Sequence, residues 1–150
     1  YEGEVFDGNF LAQVGYSYEQ NAGLAIGTAS TTADRHGYSV AAAWKSADAG
    51  ILPSISTGYS WADVDGTSDD IDSWYVGLEW SDVLIEGNSF GAAIGEAPSF
   101  EDEDSSTMWE VFYSFAVSDN ITVTPAIFGI DDGGDDEEIF GGIVKTTFKF

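Results

Sequence analysis

Cysteine is absent, which removes disulfide frameworks, thiolate metal centres and cysteine nucleophiles. Basic residues are scarce: Arg35, Lys45, Lys145 and Lys149 stand against 27 acids, for a formal charge of −23. A nucleic-acid or anionic-membrane binder needs a basic surface, so polyanionic partners are disfavoured. Leucine occurs only five times in 150 residues, which starves helices of a favoured residue. No apolar run approaches the roughly 20 residues of a membrane helix. The chain starts without Met or a charged-then-apolar leader, so it reads as a mature protein or a fragment and not as a helical membrane protein.

Aromatic residues and glycine are abundant: five Trp, seven Tyr, ten Phe and 18 Gly. Such aromatic content argues against a disordered acidic tail. Period-2 alternation recurs along the chain and decides the architecture. Phe10, Ala12, Val14, Tyr16 and Tyr18 alternate with Leu11, Gln13, Gly15, Ser17 and Glu19. Similar runs follow at Leu24–Thr28, Tyr38–Trp44, Ile51–Trp61, Trp74–Trp80, Phe90–Ile94, Trp109–Val117, Val123–Ile127 and Phe140–Phe150. About nine strands are expected, in an all-β, antiparallel up-and-down meander.

Short connections are expected at Gln20–Ala22, Ser46–Gly50, Ser81–Asn88 and Ser118–Asn120, and longer ones at Ser30–Arg35, Ala62–Asp72, Pro98–Ser105 and Asp131–Glu138. Three of the longer ones hold most of the acid. They contain Asp63, Asp65, Asp69, Asp70 and Asp72; Glu101, Asp102, Glu103 and Asp104; and Asp131, Asp132, Asp135, Asp136, Glu137 and Glu138. Strict alternation of tight and long connections gives a meander one smooth end and one acidic end.

Bulky residues on one face of every strand suit a soluble sandwich, apolar face inward, or a transmembrane β-barrel, apolar face toward lipid. Three details favour the barrel. The other face is Gly, Ala and Ser with sparse charge; Trp and Tyr gather near strand ends as an interfacial girdle; and strands of about 9 to 13 residues match a tilted crossing better than an average soluble strand.

The segments Ser73–Pro98 (SWYVGLEWSDVLIEGNSFGAAIGEAP), Met108–Phe128 (MWEVFYSFAVSDNITVTPAIF) and Phe140–Phe150 (FGGIVKTTFKF), with Ala41–Trp61, resemble the C-terminal barrel region of cyanobacterial porins. These porins form the OprB-type carbohydrate-selective family, which includes members called iron uptake porins. The resemblance covers roughly residues 35 to 150. It implies an outer-membrane β-barrel, often trimeric, that passes carbohydrate, other small hydrophilic solutes or inorganic ions such as iron by diffusion. The implied partners are outer-membrane lipid, the barrel assembly machinery and two further copies. Family members also carry a signal peptide and an S-layer-homology domain, so residues 1–150 are expected to be the C-terminal part of a larger barrel. Outer-membrane barrels end in an alternating strand with a terminal aromatic, supplied here by Phe148 and Phe150. The Gly favoured five residues before the end is replaced by Lys145.

Gly87–Gly91 (GNSFG) matches the G-x-S-x-G elbow, but a strand-like run follows it and the sole histidine, His36, precedes the Ser, so a turn is expected and no enzyme. His36 is expected in or beside a loop, as a solvated residue. Asp63–Gly66 (DVDG) starts like a calcium loop and lacks its later ligands. No cofactor or resident metal is expected. Lys45, Glu79, Glu110, Lys145 and Lys149 fall on the small-residue face and are the expected pore-lining charges. They either brace the wall as cross-strand Glu–Lys pairs, the favoured alternative, or line a constriction. The acidic connections are expected to form a negative vestibule that biases passage toward cations. A soluble sandwich binding sugar or calcium through those acids, and a small closed barrel of eight strands serving as a structural or adhesion protein, are the alternatives.

Overall fold

In the computed structural model, residues 1–26, 29–47, 51–66, 70–100, 105–132 and 138–149 are described, with backbone alone for 22–26, 29–32, 100 and 132. Their strands are β1 (Glu2–Val5), β2 (Gly8–Ile26), β3 (Ala29–Ser46), β4 (Ser54–Val64), β5 (Ile71–Ser81), β6 (Ser89–Phe100), β7 (Ser106–Ser118), β8 (Ile121–Asp132) and β9 (Glu138–Phe148). They form one antiparallel sheet in chain order, and none of the described residues is helical. The all-β meander expected from the alternation is therefore present. The sheet is open, with no pairing between β1 and β9 among the described residues.

The strands are not partitioned as the sequence suggested. Gln20–Ala22 is a bulge inside β2 and not a turn, because two residues there oppose one on β3 between the pairs Glu19–Arg35 and Ala22–Ala33. Asn21 absorbs the extra residue with φ 52°, and its N–H donates to the Asp34 carboxylate at 3.0 Å. Asn tolerates this left-handed backbone better than most residues do. Consequently the first alternating run and the described part of the second, to Ile26, form one strand, and Ser30–Arg35, expected as a loop, belongs to β3. The count stays at nine because Glu2–Val5 adds a strand. β2 and β3 pair as far as Ile26–Ala29, whereas β3 and β4 stop at Arg35–Val64. A two-stranded ribbon thus stands beyond the rest of the sheet.

Register keeps the alternating series in phase. Phe10 pairs with Trp44, Trp44 with Ile55, Ile55 with Leu78, Leu78 with Ala92, Ala92 with Val111 and Val111 with Ile127. These residues share what is called here the outer face. The inner face is reached through Leu11–Ala43–Ser56–Gly77–Ala93–Glu110–Phe128–Gly141. No second layer covers either face among the described residues. Val64, 5 % exposed, is the one buried hydrophobic side chain there, while Val14 is 84 % and Val144 67 % exposed on the outer face.

Candidate functional site: the inner face and its two ends

An antiparallel meander sends alternate connections to opposite ends. The β1–β2, β3–β4, β5–β6 and β7–β8 connections share one end, and the β2–β3, β4–β5, β6–β7 and β8–β9 connections share the other. All three acidic segments fall in connections of the second set, and their described residues stand at that end. Asp63 closes β4 beside Val64, Asp65 follows in the turn, and Asp70 and Asp72 flank the start of β5. Asp131 pairs with Glu138, and the Asp132 backbone ends β8. Asp69, Glu101, Asp102, Glu103, Asp104, Asp135, Asp136, Glu137 and Phe150 lie outside the described residues. No group of three His, Asp or Glu side chains converges into a metal-binding cluster among the described residues.

The expected pore-lining charges do share the inner face. Lys45 lies opposite Asn9, Glu79 opposite Ser54 and Gly91, Glu110 opposite Ala93 and Phe128, and Lys145 opposite Thr124. Lys149 follows β9, where its N–H donates to the Asn120 carbonyl at 2.9 Å and its carbonyl accepts from Asn120 Nδ2 at 2.8 Å. Glu79, Glu110 and Lys145 meet around a hollow of about 390 Å³ with Ser89, Ser114 and Thr124. Ser114 and Thr124 are joined by a hydroxyl hydrogen bond of 3.0 Å, and Ser60 and Ser73 by one of 2.7 Å. Bracing by Glu–Lys pairs does not occur here: the salt bridge among the described residues joins Arg35 to Glu19, at 2.5 Å on the ribbon. The three lysines stand toward the short-turn end, whereas Arg35 lies at the other end, opposite Val64.

From β2 to β6 the inner face is mainly small, as expected: Gln13, Gly15, Ser39, Ala41, Ser56, Gly58 and Ala93. From β7 to β9 the expectation is corrected, because Met108, Phe112, Phe128, Ile130, Ile139 and Ile143 all occupy inner positions. Three inner rings lie across glycines of neighbouring strands: Tyr75 against Gly58, Phe112 against Gly91 and Phe128 against Gly141, each filling the space a Cβ would need. Rings laid on the wall in this way protect exposed sheet backbone without projecting outward.

On the outer face, aromatics gather toward both strand ends. Tyr38 lies 5.4 Å from both Tyr16 and Trp61, and Tyr59 5.7 Å from Trp61. Toward the short turns, Trp80 lies 5.9 Å from Phe90, and Tyr113 4.6 Å from Phe115. Trp109 packs edge-on against Phe140 at 5.9 Å. His36 is not in a loop but within β3, between Tyr16 and Tyr18: its Nδ1 is 2.9 Å from the Tyr16 hydroxyl, and its ring 4.9 Å from that of Tyr18. Ser89 of the GNSFG segment opens a strand, with Gly87 (φ 85°) ending the turn before it.

Asn88 carries structure that the alternation gave no sign of. It is 4 % exposed; its Oδ1 accepts from the Ala116 N–H at 3.0 Å and its Nδ2 donates to the Tyr113 hydroxyl at 3.1 Å. That hydroxyl donates in turn to the Val83 carbonyl at 2.5 Å. The amide side chain thereby continues the β6–β7 ladder past the end of β6.

The chain is similar to a protein of Nostoc sp. described as uncharacterized protein alr4550, with 29% identity over 125 residues, which is 75% of this chain and 21% of that protein. The chain thus spans about a fifth of the relative's length. No family model matches it, and no solved structure does.

Proposed function

We propose that residues 1–150 form part of the wall of an outer-membrane diffusion pore, resembling the OprB-type porins. The observation that carries this reading is the uncovered outer face: Val14, Val117, Ile127 and Val144 are each more than half exposed on a sheet with no second layer among its described residues. In water, such a contiguous apolar surface is an association site; in a bilayer it is the surface that belongs there. An 11-residue strand such as β4 or β5, at about 3.3 Å per residue and tilted about 45°, crosses about 26 Å, close to the apolar band of about 25 Å. The aromatic pairs near both strand ends fit the two interfaces. β1 and β9 each pair on one side only among the described residues, and an open ladder edge, a template for pairing in water and costly in lipid, fits a wall continued by further strands.

No residue performs covalent chemistry in this reading, and transport is diffusion along the inner face. The acids at one end form an external vestibule that enriches cations and repels anions, a bias that fades as the Debye length falls from about 10 Å at 0.1 M salt to about 3 Å at 1 M. The passage carries small hydrophilic solutes, with carbohydrate and inorganic cations including iron as candidates. The test is reversal-potential measurement on the full-length protein in planar bilayers. Cation preference at 0.1 M that weakens at 1 M is expected, and unchanged selectivity after neutralising all three acidic clusters refutes the vestibule. A protein that is monodisperse without detergent and gives no conductance refutes the pore.

A further inference from the structure

A hollow of about 660 Å³ on the inner face reaches from β2 to β8, and its composition differs from that of a plain aqueous wall. Gln13, Ser39, Ser60 and Ser73 line it on one side. Tyr75, Met108, Phe128 and Ile130 line it on the other, and Tyr75 is 46 % and Met108 38 % exposed. Apolar area is therefore left facing a space that water would fill. The inner-face carboxylate at this hollow is Glu110, Glu96 having the outer phase opposite Trp74, and no Lys or Arg lines it. The ion pair among the described residues lies elsewhere, between Arg35 and Glu19, so Glu110 faces the hollow without a salt-bridge partner. None of the inner lysines lines this hollow, although Lys145 shares the smaller neighbouring one with Glu110.

These features select by chemistry. A ring face attracts a positive charge through its quadrupole, and a carboxylate without a partner adds Coulomb attraction where water is partly displaced. An anion meets only like charge. A neutral aromatic gains the apolar contact and lacks the charge contact, while a bare metal ion finds no converging cluster of three donors among the described residues. We propose that this hollow binds organic ammonium ions that carry an apolar body, with Glu110 facing the charge and Tyr75, Met108 and Phe128 covering the body. The inference names a solute class for the pore proposed above, yet binding is read without requiring conduction.

The experiment is equilibrium dialysis of the full-length protein in neutral detergent micelles, with benzyltrimethylammonium, benzyl alcohol and benzoate as separate probes. Saturable binding of the ammonium ion is expected, about tenfold weaker or more in Glu110→Gln and in Tyr75→Ala. Benzyl alcohol is expected to bind at least about tenfold more weakly than the cation, and benzoate not at all. Asp119→Asn, in the β7–β8 turn, removes one charge without touching the hollow and should leave binding unchanged. The site is refuted if the ammonium ion binds Glu110→Gln as tightly as the parent, if benzyl alcohol binds equally well, or if no isotherm saturates. Absence of potassium current in bilayers refutes the pore instead, and the isotherm still decides the site.

Discussion

Phe112 on β7 occupies the space that a side chain at Gly91 on β6 would need, and the two residues are register partners on the inner face. A Cβ there would overlap the ring itself, so the pair is a fit of one flat side chain to one missing side chain. Gly91→Val should cost about 1 to 3 kcal/mol through overpacking and drive the ring off the wall into the passage. Lower single-channel conductance and a lower urea midpoint are the expected outcomes. Adding Phe112→Ala to Gly91→Val should recover both, because the two sites act as one unit. Additive losses in the double variant would show that the ring and the glycine are independent.

Asn88 should matter more than its place in a connection suggests. Asn88→Ala leaves the Ala116 N–H without its acceptor at a nearly buried site, which costs about 1 to 3 kcal/mol. Tyr113→Phe, which removes the donor to the Val83 carbonyl, should cost about 0.5 to 1.5 kcal/mol. Denaturant midpoints of the folded protein in micelles check both values, and a neutral Asn88→Ala would mean that water replaces the amide.

The assignment of faces can be tested with one residue type at two adjacent positions. Val40 lies on the outer face opposite Tyr59, and Ala41 on the inner face opposite Gly58. Arg at the midplane of a lipid-facing surface costs about 2 to 4 kcal/mol. Val40→Arg should therefore impair folding into lipid vesicles, while Ala41→Arg should fold and shift selectivity toward anions. The reverse order would mean that the faces are exchanged.

Acid should loosen the root of the β2–β3 ribbon. The Tyr18 hydroxyl donates to Asp34 Oδ2 at 2.6 Å, and with the Asn21 N–H it holds the Asp34 carboxyl below its ordinary value. Hydrogen bonds to the ionised form favour that form. A carboxyl depressed on folding contributes stability that is present above its unfolded pKa, near 3.8, and is lost as pH falls through the folded value. Tyr18→Phe should move the Asp34 titration back up toward the ordinary range by carboxyl-resolved NMR. An unmoved titration would mean that the backbone contact alone sets it.

Much of the fold is legible in the one-dimensional pattern, for a physical reason. Strand side chains alternate with a period of two, so Trp109, Val111 and Tyr113 against Met108, Glu110 and Phe112 announce a strand and its two faces without any partner. The errors fall where pairing outweighs local composition. Gln20–Ala22 has the residues of a turn, yet pairing with β3 and the Asp34 contact make it a bulge. Ser30–Arg35 has the composition of a loop and pairs as a strand. His36 takes its surroundings from Tyr16 and Tyr18, some twenty residues earlier, and no local signal could reveal that neighbour. The inner charges were found because their phase is local; their lack of Glu–Lys partners depends on register, which is not.

The sequence by itself determined that the chain is all-β, that bulky and small residues take opposite faces, and that acid gathers in alternate connections, because period and composition are properties of each strand alone. The tertiary structure decided which residues stand side by side: Phe112 over Gly91, Asn88 on the β7 backbone, and Glu79 and Glu110 with Lys145 around one hollow. Those relations arise from register and from the order of strands in the sheet, where one residue of slip would exchange the faces, and a single strand carries no record of either.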